Sequence, residues 1–187
     1  MRIGYCLTGS FCTFRKAIDT MSELVEKGYD VTPIMSENAY NTNTRFGKAS
    51  YINAEIEDVC GKEIIRTITG AEPIGPKDMF DILVVAPCTG NTLAKLANGV
   101  TDTCVTMAVK SHLRNSKPVV IGVSTNDALG AAAKNIGALM NYKNYYLVPF
   151  GMDDCDKKPK SMVCDFSLIE RTILLAAEGK RINRIIY

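Results

Sequence analysis

The sequence predicts an α/β fold in three layers: a doubly wound parallel sheet of Rossmann-like or flavodoxin-like type, with helices on both faces. Apolar, β-branched runs of strand length alternate along the chain with segments whose apolar residues recur at helical spacing. Such alternation is typical of strand–helix–strand units. The length of 187 residues suits one substantial core. We therefore expect residues 1–187 to form a single domain.

The pattern begins at the N-terminus. Arg2–Leu7 is predicted as the first strand, and a helix is predicted from about Thr13 until Gly28, a typical C-terminal cap. Asp30–Met35 is predicted as the second strand. It contains Pro33, which has no N–H to give to a ladder, so we expect Pro33 at a bulge or at the rim of the strand.

Between the second strand and the central stretch the sequence predicts short elements. Residues 37–50 are polar and without periodicity, which indicates a loop. A helix is expected at about Ile52–Cys60 and a strand near Ile64–Thr69. Glu72–Pro76 is predicted as a rigid turn.

The stretch Asp81–Asp102 holds a complete strand–loop–helix pattern. Ile82–Ala86 is predicted as a buried parallel strand. Pro87 is expected to end this strand because it lacks an N–H. The helix that follows is predicted from the apolar spacing of Leu93, Leu96, Ala97 and Val100.

The same patterns predict the rest of the chain. The expected elements are a helix to about His112, a strand at 119–123, a helix at 128–141, a strand at Tyr145–Phe150, a polar loop at Gly151–Met162 and a helix at Phe166–Ala177. The tail Ile185–Tyr187 is expected either to dock on a partner chain or to fray.

Composition excludes several classes of partner. The net charge is only +2 and the basic residues are scattered, which argues against nucleic acid and against a membrane surface. No apolar run reaches a membrane-spanning length. The seven cysteines include no closely spaced pair, so we expect no metal site and buried thiols in a reducing cytoplasm.

Small polar loops follow four of the predicted strands: Thr8–Ser10, Ser36, Cys88–Asn91 and Ser124–Asp127. In parallel sheets ligands bind beyond the carboxyl ends of the strands, so these loops should meet at one binding site. A single glycine between two hydroxyls suits one terminal phosphate, which favours FMN over NAD. The alternative is an ordinary turn in which Thr89 or Asn91 caps the following helix.

Two segments resemble a known family. They are IGYCLTGSFCTFRKAIDTMSELVEKGYDVTPIMSENA near the start and APCTGNTLAKLANGVTD in the centre. Both are similar to the flavoprotein family that includes cysteine decarboxylases and flavin prenyltransferases. The similarity extends over about residues 2 to 175 and implies an FMN-type fold. It also implies an oxidoreductase subunit whose partner carries NADP, and self-association as a trimer or dodecamer.

The resemblance implies roles for particular residues. The expected FMN-binding residues are Thr8, Gly9, Ser10, Phe11, Ser36, Pro87, Cys88, Thr89 and Asn91. Asn91 and Asn126 are expected at the reacting atoms, and Asn126 is what remains of the family's PxMN motif. The decarboxylases' histidine has no evident counterpart, since His112 follows the central motif in a predicted helix. The alternatives are a flavin prenyltransferase or decarboxylase-like enzyme, and a non-catalytic scaffold subunit.

Several polar residues have two interpretations each. Arg45 could clamp a carboxylate of a dicarboxylic ring substrate, beside Asn126, or be solvated. Asn126 and Asp127 could position a substrate proton or cap the next helix. Lys157, Lys158 and Lys160 could close over anions or form a solvated loop. Cys88 is expected to pack as a small residue, although a helix start tends to lower a thiol pKa.

Overall fold

A mixed seven-stranded sheet runs through the middle of the protein in a computed structural model that describes residues 1–187. The strands are β1 (Arg2–Leu7), β2 (Asp30–Met35), β3 (Ile82–Cys88), β4 (Val119–Thr125), β5 (Tyr145–Leu147), β6 (Phe150–Asp154) and β7 (Lys158–Cys164). Their order is β2-β1-β3-β4-β7-β6, and β5 also pairs with β4. The first five strands pair in parallel, whereas β7 is antiparallel to both β4 and β6. The α/β class is confirmed, but the sheet is not wholly parallel.

Helices lie on both faces of this sheet. They are α1 (Phe14–Glu26), α2 (Glu37–Asn41), α3 (Ala49–Cys60), α4 (Ile68–Ala71), α5 (Gly90–Ala97), α6 (Cys104–Leu113), α7 (Ala133–Asn141) and α8 (Ile169–Ala177). Helix α5 packs against α6 and α7, while α1 packs against α3 and the 3-10 turn before α8. Because β3 and β4 lie in the centre, nearly all their residues are buried. One continuous hydrophobic cluster joins the sheet to both helical layers.

Neither sheet proline lies where it was expected. Pro87 does not end β3 but lies within it, after a cis peptide bond. The pairing of β3 with β4 shifts register between Val85 and Cys88, so the ladder is already interrupted where the N–H is missing. Pro33 pairs in regular register with Tyr5, without a bulge. Strand β2 is at the edge of the sheet, where a missing donor is tolerated.

The segment between β2 and β3 is more helical than predicted. Residues 37–50 are not all loop: the Ser36 side chain accepts a hydrogen bond from the Ala39 amide and starts α2. The strand expected near Ile64–Thr69 is absent. Ile65 makes only an isolated bridge to β2, and α4 follows directly. Turn and cap chemistry therefore outweighs β-propensity here.

Differences in the C-terminal half have local causes. Helix α5 ends at Ala97, leaving Val100 exposed outside it, and α7 begins only at Ala133. The expected strand Tyr145–Phe150 is split between β5 and β6. Residues 151–162, expected as a loop, instead belong largely to the β6–β7 hairpin, whose polar side chains face solvent. The tail docks on its own chain, since the Phe150 amide donates to the Ile185 carbonyl over 2.9 Å.

Candidate functional site

A cleft of about 430 Å³ lies at the carboxyl ends of β1, β3 and β4. It brings together six of the predicted site residues: Gly9, Ser10, Phe11, Arg45, Thr89 and Asn126. Its other lining residues are Cys12, Phe46, Ser124, Thr125, Asp127 and Lys158. Three of the four predicted strand-end loops therefore converge, as expected at one edge of a parallel sheet, and the loop at Ser36 does not reach the cleft.

The floor of the cleft is formed by the turn after β1 and the end of β4. The hydroxyl oxygens of Ser10 and Ser124 are 2.8 Å apart and hydrogen-bond to each other. At Gly9 an added Cβ would meet only the Phe11 ring, at 3.7 Å, so the backbone here is open to a ligand. The amides of Phe11 and Cys12 begin a helical segment and have no acceptor within it. This group of donors suits a phosphate or a carboxylate.

Thr8 and Thr89 connect the two turns that flank the floor. The buried Thr8 hydroxyl donates to the Pro87 carbonyl over 2.8 Å and accepts from the Thr89 amide over 3.0 Å. The Thr89 side chain accepts from the Thr92 amide and caps α5. Thr8 is thus a brace between β1 and β3 and does not line the cleft. Thr89 both caps its helix and faces the cleft.

Besides Thr8, four predicted ligand-binding residues lie outside the cleft. Ser36 is buried and caps α2, and Pro87 and Cys88 are buried in β3. Burial raises the pKa of the Cys88 thiol, which outweighs the lowering expected at a helix start. Cys88 therefore packs as a small residue. Asn91 is exposed and its side chain makes no hydrogen bond within the chain, so it does not cap α5.

Two cations stand at the rim of the cleft. Arg45 is exposed, forms no ion pair, and holds its guanidinium carbon 4.9 Å from the centre of the Phe46 ring. Lys158 Nζ lies 2.6 Å from an Asp153 carboxylate oxygen, and this hydrogen bond raises the pKa of Lys158. Lys157 and Lys160 are exposed on the hairpin and do not line the cleft. Arg45 is therefore the rim cation left free for an anionic ligand.

Asn126 and Asp127 follow β4 directly and do not cap α7, which begins at Ala133. The Ser161 hydroxyl donates to Asn126 Oδ1 over 3.2 Å. The Thr125 hydroxyl donates to Asp127 Oδ1. The capping interpretation for this pair is wrong, and both side chains are held at the cleft by neighbouring hydroxyls.

His112 lies far from this chemistry, at the opposite end of the sheet. Its Nε2 is 3.1 Å from the carbonyl oxygen of Pro118, the residue before β4. The side chain is 1% exposed, and burial lowers its pKa to about 4. A buried imidazole at the start of a strand has a structural role and cannot act at the strand's other end.

Sequence reasoning missed Cys12 and Phe46 as cleft residues. Cys12 lies two residues beyond Ser10, so the turn after β1 could have indicated it. Phe46 comes from a loop with no periodicity, and nothing local shows where that loop folds. All seven cysteines are free thiols. No group of three or more metal-ligating side chains forms a cation site, and no helix is long and apolar enough to cross a membrane.

Comparison with known proteins agrees with the geometry. Residues 1–168 match the model of the family described as Flavoprotein. The chain is 46% identical over 185 residues to the dipicolinate synthase B subunit of Bacillus subtilis, covering 99% of this chain and 92% of that protein. The crystal structure of the dipicolinate synthase B subunit from Bacillus halodurans matches with a TM-score of 0.91 and 41% identity, covering 100% of this chain and 95% of that one. A dodecameric FMN-dependent UbiX-like decarboxylase from Escherichia coli shares the fold, with a TM-score of 0.67, 19% identity and 80% of each chain covered.

Proposed function

The chain belongs to the flavoprotein family, and we propose that it is the flavin-type B subunit of a dipicolinate synthase, an oxidoreductase. In this role it helps to oxidise dihydrodipicolinate to dipicolinate. The observation that carries the proposal is the 46% identity to the Bacillus subtilis protein of that name, which extends over 99% of the chain. The donor-rich cleft at the strand ends supports the proposal, because it would suit an anionic ring.

The first turn fits the phosphate of FMN. Gly9 leaves the backbone open, Ser10 offers a hydroxyl, and two helix-start amides have no acceptor of their own. Thr8 and Ser36 would support this turn from behind, since their hydroxyls are engaged within the chain. A flavin bound here would supply a two-electron acceptor.

The rim and the end of β4 would orient the substrate. Arg45 is free to pair with one carboxylate, and its planar guanidinium can bind both oxygens. The amide of Asn126, held by Ser161, can donate to the ring or to the second carboxylate. Asn91, exposed and without a side-chain partner in its own chain, is free to contact ligand in a neighbouring copy.

The same proposal gives the chain its partners. The A subunit of dipicolinate synthase, carrying NADP, would complete the oxidoreductase, and this chain would assemble as a trimer or dodecamer. The setting would be the cytoplasm of the mother cell in a sporulating bacterium. These expectations rest on family resemblance and on the similarity to the Bacillus subtilis protein.

The proposal is tested by reconstitution. The chain is co-purified with the NADP-carrying partner, and dihydrodipicolinate oxidation by the pair is compared with that of the isolated partner. We expect the pair to be faster, and the chain to retain flavin absorbance after added FMN is removed by gel filtration. The variant Arg45→Met should slow the pair.

Arg66→Met is the matched control. Arg66 is also exposed and also lies over an aromatic ring, that of Tyr40, but it does not line the cleft. It should leave the rate unchanged. If the isolated NADP-carrying partner gives the full rate, and FMN neither colours nor protects this chain, the chain is a scaffold and the proposal fails.

A further inference from the structure

A carboxylate lies against the first residue of α5. If Gly90 carried a Cβ, that atom would be 2.7 Å from Asp127 Oδ1 and 2.8 Å from the Thr125 hydroxyl oxygen. Both distances are shorter than real Cβ contacts. Only glycine at this position therefore lets the end of β4 approach so closely.

Asp127 is not needed to complete the helix. Thr89 already caps α5 through the Thr92 amide. Asp127 accepts one hydrogen bond, from the Thr125 hydroxyl to Oδ1, and forms no ion pair. Its second oxygen has no partner within the chain, and the residue lines the cleft. The protein thus holds the Asp127 carboxylate in place and leaves its second oxygen free to accept a hydrogen bond from a ligand.

Unlike the acceptor Asp127, the rest of the cleft carries hydrogen-bond donors and positive charge. Its floor carries the paired hydroxyls of Ser10 and Ser124, and its rim carries Arg45 and Lys158. With the first turn holding the flavin phosphate, a ring with two carboxylates would place them on Arg45 and on the side-chain amide of Asn126. The ring nitrogen between the carboxylates is then the group left to meet Asp127. A carboxylate attracts a nitrogen that bears a proton and repels a bare lone pair.

We propose that Asp127, held by Thr125 and admitted by Gly90, accepts a hydrogen bond from the protonated ring nitrogen of a bound heterocyclic dicarboxylate. It therefore selects a ring whose nitrogen carries a proton, as an amine, ammonium or iminium group, over the aromatic pyridine with its bare nitrogen. This inference rests on the proposed function and adds a specificity-determining residue to it. It predicts that the aromatic product is held less tightly than an N–H-bearing ring with the same two carboxylates.

The test is calorimetric titration of the purified chain with three diacids. Piperidine-2,6-dicarboxylate bears N–H groups, pyridine-2,6-dicarboxylate has a bare nitrogen, and benzene-1,3-dicarboxylate has no nitrogen. We expect the wild-type chain to prefer the piperidine compound over the pyridine compound by about tenfold, with the benzene compound between them. Asp127→Asn should reduce this ratio to about twofold or less. Asp156→Asn, an exposed carboxylate on the hairpin, is the control for net charge and should keep the ratio.

Two further variants keep the test independent of one substitution. Gly90→Ala forces the carboxylate to move and Thr125→Val removes its anchor, so each should lower the ratio. The inference is overturned if Asp127→Asn keeps the wild-type ratio of diacid affinities, whether or not the variant also loses FMN affinity. If neither heterocyclic diacid binds the wild-type chain, the cleft is not a diacid site and the proposed function fails with it. A retained ratio in Asp127→Asn overturns this inference alone.

Discussion

The two ends of the parallel sheet differ in how their polar groups are used. Strands begin among charges that pair with one another: Arg2 contacts Asp81 at 2.7 Å, Lys117 contacts Asp78 at 2.7 Å, and Lys62 pairs with Asp30. Strands end among hydroxyls, a glycine and an unpaired arginine. One end satisfies its charges internally, and the other leaves donors and one carboxylate available.

This difference separates stability from binding within one sheet. Groups at the strand starts have partners in the chain, so changing them should alter unfolding and not ligand affinity. At the strand ends, Thr8 and Thr89 are braced by internal hydrogen bonds, whereas Ser10, Arg45 and Asp127 keep capacity for a ligand. Binding residues on a rigid scaffold are the usual arrangement in α/β proteins.

The largest effect on stability should come from His112 at the strand starts. Folding lowers its pKa from 6.5 to about 4, mainly through burial, with Lys117 also lowering it and Asp78 and Asp81 raising it. Between about pH 4 and pH 6.5 the unfolded chain therefore binds a proton on His112 that the folded chain does not. Stability is therefore full above about pH 6.5 and falls toward pH 4, by up to about 3 kcal/mol.

Urea unfolding between pH 7 and 4.5 measures this loss. His112→Gln cannot titrate and can still donate to the Pro118 carbonyl, so its curve should be flatter. The carboxylates with lowered pKa values lose their contribution only below their ordinary values, 3.8 for Asp81 and 4.5 for Glu55, so their loss begins at or below the lower edge of the measured range. Parallel pH curves for the two proteins would show that this imidazole does not cause the loss of stability at low pH.

The next effect belongs to the brace at the strand ends. Thr8→Val keeps the shape but leaves the Thr89 amide without its acceptor. We expect the free energy of unfolding to fall by about 2 kcal/mol, the cost of one unsatisfied buried donor. Thr8→Ser retains the hydroxyl and should lose less. Urea denaturation measures both, and equal losses would mean that packing of the threonine methyl group matters more than the hydrogen bonds.

The sequence predicted the parallel strands β1 to β4 and the longer helices better than the rest of the chain. Periodic apolar runs predicted β1 to β4 and the helices α1, α3 and α6, because each buries one face or both. The β6–β7 hairpin was missed because residues such as Asp153 and Lys158 face solvent and leave no alternation. The short helix after Ser36 was missed because a cap, not periodicity, starts it.

The site was predictable as a place but not as a list of residues. Topology brings strand ends together, and this placed Ser10, Thr89 and Asn126 in one cleft. Sequence could not show which hydroxyls are already used, as at Ser36. Nor could it show that Gly90 meets Asp127, since that contact depends on the packing of two distant segments.

The third prediction separates two neighbours in the turn after β3. Thr89→Ala removes the cap of α5 and should cost about 1 kcal/mol of stability. Asn91→Ala should change stability by less than about 0.5 kcal/mol, because the side chain is exposed and makes no hydrogen bond. If Asn91 meets the flavin or the substrate, its loss should weaken ligand affinity by about 1–3 kcal/mol. Thermal melting without ligand and FMN titration on the same variants distinguish these outcomes.

The smallest effect on stability is expected at Arg45, and it contrasts with Arg2 at the other end of the sheet. Arg2 donates to Asp81 and to the Asp78 carbonyl, so Arg2→Met should lower the melting temperature slightly and leave diacid binding intact. Arg45 has no ion pair to lose, so Arg45→Met should melt like the wild type. Its affinity for pyridine-2,6-dicarboxylate should fall about fivefold, as for an exposed charge pair.

Because exposed pairs are screened by salt, the wild-type affinity should also decrease on going from low to high NaCl concentration, while that of Arg45→Met changes less. The contrast between the two ends fails if Arg2→Met weakens binding as much as Arg45→Met does.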